Sequence, residues 1–160
     1  MKKRNIFLIV FGLFFLFGFS RNADALVLRG QAHNADVGWG PHIAVSGSSP
    51  RIEIGSYGKR LEAFALNVDN VPIRYRSHIQ NNGWEGVPER SNGMVSGTVG
   101  QALRVEAVRI RAENGGRYGF KYRVHFLGGT WSSYSYSAQL AGTVGQGRAI
   151  DVIEVQIYRK

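Results

Sequence analysis

The stretch Ile73-Arg-Tyr-Arg-Ser-His-Ile-Gln-Asn-Asn-Gly-Trp84 carries the pattern that sets the fold. It ends in His-x5-Trp, formed by His78 and Trp84, and the same pattern recurs at 33–39 and 125–131. Successive copies lie 45 residues (33 to 78) and 47 residues (78 to 125) apart, and they contain all 3 tryptophans of the chain. A near-constant period of this length is typical of a repeat architecture.

A second block follows each tryptophan in the same order. It reads GSYGKRLEAF from Gly55, GTVGQALRVEAV from Gly97 and GTVGQGRAIDVI from Gly142. Two blocks that recur in step indicate three tandem repeats within one β domain. The domain is expected to span residues 26–160, and the repeats about 26–70, 71–115 and 116–160.

Apolar and polar side chains alternate along the repeated stretch. Ile73 and Tyr75 fall on one face of a strand, whereas Arg74 and Arg76 fall on the other. The second block alternates in the same way, and the 21 glycines separate the alternating segments. No segment after residue 25 keeps a helical period, so the sequence predicts an all-β fold.

One repeat cannot bury its apolar face alone, so the three copies are expected to close on each other. The favoured architecture is a threefold pseudo-symmetric closed β structure that is β-trefoil-like, in which two strands per repeat build a barrel. The alternative is a β-prism, in which three small sheets face one axis. Both arrangements protect the sheet edges and bring the third repeat against the first.

These blocks resemble the clostridial hydrophobic W (ChW) repeat family. The resemblance is carried by Tyr75-Arg-Ser-His-Ile-Gln-Asn-Asn-Gly-Trp84 and by Gly97-Thr-Val-Gly-Gln101 with Leu103-Arg-Val-Glu-Ala-Val-Arg-Ile110. The first copy keeps Val37-Gly-Trp39 but lacks the Thr and Gln of the glycine block, and the third copy has Gly128-Gly-Thr-Trp131. The resemblance implies an extracellular protein of a Gram-positive bacterium that binds polysaccharide or cell surfaces, and it supplies no catalytic residues.

Residues 1–25 have the features of a secretory signal peptide. Lys2, Lys3 and Arg4 precede an apolar run, and Ala23-Asp-Ala25 supplies a cleavage pattern before Leu26. We therefore expect a secreted, extracellular protein without a transmembrane segment after cleavage, either free or held non-covalently at the cell surface. The rest of the chain has 16 Lys and Arg against 10 Asp and Glu, a net charge of +6, which favours anionic partners.

The repeated tryptophans, Trp39, Trp84 and Trp131, allow two interpretations. A residue that recurs in every copy usually holds the fold, so a core anchor is favoured. The alternative is that each indole stacks on a sugar ring, with Asn81 and Asn82 as adjoining ligand-binding candidates.

A basic row lies on the outward face of the repeated strand. It consists of Arg29, Arg74, Arg76, Lys121 and Arg123. Such a row is either an ordinary solvated face or a multivalent surface for an anionic polymer.

The segment Trp131-Ser-Ser-Tyr-Ser-Tyr-Ser137 has no counterpart in the other two copies. Tyr134 and Tyr136 share one strand face among serines, a composition that suits protein contacts. An ordinary β-hairpin is the alternative interpretation.

The histidines and acids of the repeats do not form a convincing catalytic or metal site. His33, His78 and His125 are expected to lie far apart on the outer face, which disfavours a shared metal ion. The apolar face of each second-block strand begins with an acid, which is Glu62, Glu106 or Asp151. We expect each acid to pair with a nearby Arg, Lys or backbone donor.

The sequence therefore predicts a secreted, non-catalytic, lectin-like binding module without a cofactor. Its expected partner is a carbohydrate or an anionic cell-envelope polymer, and no specific nucleic acid is expected. The alternative is an extracellular protein-interaction, adhesion or matrix-structural domain, whereas a toxin or an enzyme is disfavoured because no catalytic motif is present.

Overall fold

The computed structural model describes residues 25–113 and 116–160. The expected signal peptide lies outside these residues, apart from Ala25. The described segments contain 14 β-strands and no helix, which confirms the all-β prediction. None of their elements is a helix long and apolar enough to cross a membrane.

The strands alternate between long central strands and short flanking ones. They are β1 (Leu26–Asn34), β2 (Gly38–Trp39), β3 (Ile43–Gly47), β4 (Arg51–Gly55), β5 (Leu61–Val68), β6 (Ile73–Ile79), β7 (Gly83–Trp84), β8 (Arg90–Ser91), β9 (Ser96–Gly97), β10 (Val105–Ala112), β11 (Tyr118–Phe126), β12 (Ser135–Tyr136), β13 (Ala141–Gly142) and β14 (Ile150–Arg159).

These strands form three antiparallel sheets. The first sheet has the order β2-β1-β5-β9, with β3 also paired to β1. The second has the order β13-β10-β6-β7, with β8 on β6, and the third has the order β12-β11-β14-β4. In each sheet the two central strands are the His-bearing strand and the second-block strand of one repeat.

Each sheet is completed by a strand from another repeat. Strand β9 of the second repeat pairs with β5 in the first sheet, and β13 of the third repeat pairs with β10 in the second. Strand β4 of the first repeat pairs with β14 in the third sheet, which confirms that the third repeat closes onto the first. This cyclic exchange is consistent with threefold pseudo-symmetry.

The favoured trefoil-like closure was wrong in one respect. The described strands do not close into a single hydrogen-bonded barrel but remain three sheets. Two of the three donated strands, β9 and β13, are only two residues long and end their sheets. Three separate sheets are the feature that the β-prism alternative predicts.

The core lies between the inner faces of the sheets. Along β6, Ile73, Tyr75, Ser77 and Ile79 are buried and the residues between them are half-buried, so the predicted alternation is confirmed. A single apolar cluster joins residues of all three repeats, from Leu26 to Ile157. Its members with the largest buried side chains are Tyr75, Tyr122, Phe64, Phe120, Leu28, Ile54, Leu61 and Leu66.

Two buried tyrosines tie neighbouring repeats together. The hydroxyl of Tyr75 accepts a hydrogen bond from the backbone N–H of Leu66 at 3.2 Å and donates to the carbonyl of Met94. Tyr122 contacts Ile110 and Gln139 in the same manner. Burial raises the pKa of each tyrosine to about 12.

The first repeat has Gly30 in place of these tyrosines. A Cβ at this position would lie 2.7 Å from Cδ1 of Ile52 and 3.0 Å from Cγ2 of Ile54. Both isoleucines belong to β4, which has five residues. The isoleucines of β4 therefore fill the space that a tyrosine side chain occupies in the other two repeats.

Candidate functional site

The three tryptophans lie outside the core, so the favoured core-anchor interpretation was wrong. Trp39 is 39% exposed, and Trp84 and Trp131 are half-buried. The physical reason is hairpin pairing. Each tryptophan lies directly opposite the histidine six residues earlier, and therefore on the same outer face of its sheet.

Each tryptophan packs edge-to-face with this histidine. The ring centroids of the three pairs, in chain order, are 5.4, 5.5 and 5.3 Å apart, and the interplanar angles are 76°, 80° and 72°. The recurrence of this geometry on all three sheets shows that the position presents an indole in a set orientation on the outer face.

A β-bulge recurs opposite each histidine. The pairing register skips one residue in each sheet, which is Glu62, Glu106 or Asp151. The alternation placed these acids on the inner apolar face, and the bulge turns them beside the histidine instead. The Nδ1 atoms of His33, His78 and His125 lie 3.3, 3.0 and 2.7 Å from oxygens of Glu62, Glu106 and Asp151, respectively.

The predicted pairing of these acids with basic or backbone donors is confirmed. Arg60 binds Glu62, Arg104 binds Glu106, and the backbone N–H of Gly58 donates to Asp151. The acid holds the histidine by a hydrogen bond in the second and third repeats, whereas the Nδ1 atom of His33 lies near Glu62 without one. In all three repeats the histidine packs against the indole. Within residues 25–113 and 116–160, no group of three potential ligands is placed to hold a metal ion.

The cross-strand pair beside each tryptophan differs between the sheets. It is Gln31 opposite Ala65 in the first sheet, Arg76 opposite Arg109 in the second, and Arg123 opposite Glu154 in the third. Three similar backbones therefore present a neutral, a doubly cationic and an ion-paired surface.

The first sheet has an apolar groove beside Trp39. It has a volume of about 250 Å³. Its lining includes Arg29, Gln31, Trp39, His42, Asn67 and Val95. The small side chain of Ala65 leaves this groove open. Val95 could not be predicted as part of this lining, because it comes from the second repeat and reaches the groove only beside the exchanged strand β9.

On the second sheet, Trp84 lies beneath two guanidinium groups. The Cζ atoms of Arg76 and Arg109 are 5.1 and 4.8 Å from its ring centroid. Both distances are in the range of cation–π attraction. Arg109 was absent from the predicted basic row, although it lies one strand away from Arg76 in direct register.

On the third sheet, the corresponding surface is closed by polar contacts. Arg123 donates to Glu154 at 3.0 Å, and the Tyr134 hydroxyl donates to the same carboxylate at 2.8 Å. Burial alone would raise the pKa of Glu154, but these hydrogen bonds and the charges of Arg123 and Arg51 hold it below its usual value. Tyr134 is therefore tied to the sheet, whereas Tyr136 is 47% exposed.

Most of the predicted basic row is neutralised by nearby acids. Arg29 pairs with Asp69 at 2.7 Å, and Arg74 pairs with Glu113 at 2.8 Å. The Lys121 ammonium instead lies 4.0 Å from the ring centroid of Tyr134. The row is outward-facing as predicted, but it is not a continuous stripe of free cations.

Asn81 and Asn82 lie in the exposed turn between β6 and β7. Asn81 has a φ of 64°, a left-handed conformation that asparagine tolerates better than most residues. Asp36 occupies the equivalent turn of the first repeat with the same φ of 64°. Asn82 and Trp84 also line a shallow cavity of about 280 Å³.

The family model for Clostridial hydrophobic W (ChW) matches residues 78–114. This stretch is similar to a clostridial hydrophobic W repeat. The matched stretch begins at the histidine that faces Trp84 and includes the bulge residue Glu106 and Arg109. No curated protein and no solved structure matches the chain.

Proposed function

We propose that this protein is a secreted, non-catalytic, lectin-like module that binds a glycan of the bacterial envelope. The observation that carries the proposal is the groove beside Trp39, where a large exposed aromatic ring borders about 250 Å³ of mainly apolar space. A sugar ring has an apolar face that packs on such a ring and hydroxyls that need polar partners at the rim.

The rim of the groove supplies these partners. Arg29, Gln31 and Asn67 contribute donors and acceptors from two neighbouring strands. Gln31 is already bonded through Nε2 to the carbonyl of Gly40 at 2.7 Å, which fixes its side chain and leaves its amide oxygen toward other partners. A prepared polar group of this kind costs little entropy when a ligand binds.

The outer faces of the first and second sheets support weak binding to a repetitive polymer. Each face presents one tryptophan, so one chain of ligand could engage more than one face. Linked weak contacts of this kind raise overall avidity without a strong single site. A secreted protein with a net charge of +6 after residue 25 would also be attracted to an anionic envelope.

Trp39→Ala tests the proposal in the chain that begins at Leu26. Binding to isolated Gram-positive cell walls and to their released polysaccharide is measured by sedimentation and by calorimetry. We expect the variant to lose about tenfold or more in affinity, because an aromatic stacking contact is removed from the centre of the site. Thermal unfolding should change little, since the indole lies outside the core.

Tyr136→Ala is the matched control, because it removes another exposed aromatic side chain from a different sheet. It should bind like the wild type. Absence of wild-type binding to every wall preparation, or equal loss in the two variants, would refute the proposal.

A further inference from the structure

The outer face of the second sheet carries four arginines in two cross-strand pairs. Arg74 lies opposite Arg111, and Arg76 lies opposite Arg109. Like charges placed directly opposite each other on a sheet are destabilising. The arrangement therefore needs either local counter-charges or a ligand.

The local acids neutralise only part of this cluster. Glu113 pairs with Arg74 at 2.8 Å, and Glu89 pairs with Arg111 at 2.6 Å. Arg76 reaches Glu89 only at 3.7 Å. Among the described residues, no carboxylate lies within ion-pair distance of Arg109.

The Nε atoms of Arg76 and Arg109 are both buried without a hydrogen-bond partner, as is the Nε of Arg123 on the third sheet, where Glu154 nevertheless binds the guanidinium through Nη2. Buried donors are normally satisfied, so each unpaired donor requires a reason. The Cζ atoms of both guanidinium groups lie within 5.1 Å of the Trp84 ring centroid, and the strand register places the two arginines directly opposite each other.

The other two sheets show that the fold does not require a pair of arginines here. The equivalent pairs are Gln31 with Ala65, and Arg123 with Glu154. The doubly cationic pair is thus a local property of the second sheet, and it comes at a cost in electrostatic repulsion.

We infer that Arg76 and Arg109, held over Trp84, bind a tetrahedral oxyanion, namely a phosphate group carried by the envelope polymer. Guanidinium groups match phosphate oxygens in charge and in hydrogen-bond geometry. That the phosphate belongs to a polymer rests on the proposed function, whereas the oxyanion site itself does not.

A cavity beside the pair can hold more of such a polymer. It is formed by Arg74, Arg76 and Arg111 with Glu89 and Glu113, together with the loop at Val87 and Pro88, and it has a volume of about 470 Å³. Its two acids keep Arg74 and Arg111 in place. A phosphate at Arg76 and Arg109 would meet the two cations of the cluster that have the weakest internal pairing.

The test follows the indole N–H resonances of the three tryptophans by NMR while sodium chloride is replaced by inorganic phosphate at constant ionic strength. Trp84→Phe identifies the relevant signal. We expect phosphate and sulfate to shift the Trp84 signal saturably, with smaller changes at Trp39 and Trp131. Acetate should have a much weaker effect.

Arg109→Glu converts the pair into the ion pair found on the third sheet. We expect this variant to bind phosphate about tenfold or more weakly, because a charge-assisted contact is replaced by a repulsive one. Its thermal unfolding temperature should be unchanged or higher, so that loss of binding cannot be attributed to misfolding. Arg109→Ala, which mimics Ala65 of the first sheet, should give an intermediate result.

Arg148→Glu is the control, since it makes the same charge change at an exposed arginine near Phe126. The inference would be overturned if phosphate did not shift the Trp84 signal, or if acetate shifted it equally. It would also be overturned if Arg109→Glu and Arg148→Glu weakened phosphate binding to the same extent. Phosphate binding without any binding to cell walls would instead refute only the proposed function.

Discussion

At the scale of single residues, Tyr75 and Tyr122 each bring one hydroxyl into a buried position between repeats. Each hydroxyl accepts from one backbone N–H and donates to one backbone carbonyl. A phenolate could not donate, and its charge would be poorly solvated there. The structure therefore depends on both tyrosines remaining protonated.

This dependence predicts a loss of stability in alkaline solution. The pKa of each tyrosine is about 12 in the folded chain and 10.0 in the unfolded chain, so the tyrosines of the unfolded chain ionise at lower pH. The full contribution is present below pH 10 and is lost as the pH rises toward about 12. The loss should be on the order of 2–3 kcal/mol per tyrosine in the free energy of unfolding.

Denaturant unfolding at a series of pH values measures this effect. The variant with Tyr75→Phe and Tyr122→Phe should be less stable at neutral pH, because buried backbone groups lose their partners. Its stability should fall less steeply above pH 10, since two shifted groups are gone. Parallel curves for the variant and the wild type would contradict this interpretation.

Residue-level predictability was uneven for a physical reason. The alternation along Ile73–Ile79 determined which side chains face inward, because strand periodicity needs no tertiary information. The location of Trp84 depends on the hairpin that pairs it with His78 on the outer face. The core-anchor interpretation did not take this pairing into account and therefore placed the indole inside. Spacing of six residues across a tight turn was the signal that could have revealed it.

At the scale of elements, each donated strand ends in a glycine that touches its neighbour's backbone. Gly55, Gly97 and Gly142 have φ values of 121°, 100° and 110°, and a Cβ at each would lie within 2.3 Å of a carbonyl oxygen. Only glycine can occupy such a position. The glycine that begins each second block is therefore explained by strand docking.

Gly97→Ala is expected to detach β9 from the first sheet. The new Cβ would lie 2.2 Å from the carbonyl oxygen of Glu62, so we expect a loss of about 3 kcal/mol or more in the free energy of unfolding. Chemical denaturation measures this loss.

Gly100→Ala is the matched control. Gly100 has a φ of 75°, but a Cβ at this position would have no other atom within 4 Å, so only the backbone term of about 1 kcal/mol should remain. Equal destabilisation by the two substitutions would show that close packing at the donated strand is unimportant.

The element pattern was predictable only in part. The repeated blocks indicated the central strands, whereas the β-bulges depend on pairing register, which alternation does not report. For this reason Glu62, Glu106 and Asp151 were placed on the wrong face, although their polar partners were anticipated.

At the scale of the whole molecule, the three repeats share one scaffold and present unlike outer faces. Repetition in the sequence predicted that the third copy closes onto the first, and β4 on β14 confirms it. The chemistry of each face arises from side chains on adjacent strands, such as Arg76 beside Arg109, that are distant in the sequence. It became visible only once the register was known.

For the molecule as a whole, we propose that a glycan polymer contacts the outer faces of the first and second sheets. The decisive experiment measures the rate at which each indole is oxidised by a water-soluble reagent, with and without bound cell-wall polymer, quantified by mass spectrometry. We predict that bound polymer protects Trp39 and Trp84 and leaves Trp131 unchanged, because Arg123, Glu154 and Tyr134 already close the third face. Unchanged oxidation of Trp39 and Trp84 in the fully bound protein would contradict this proposal.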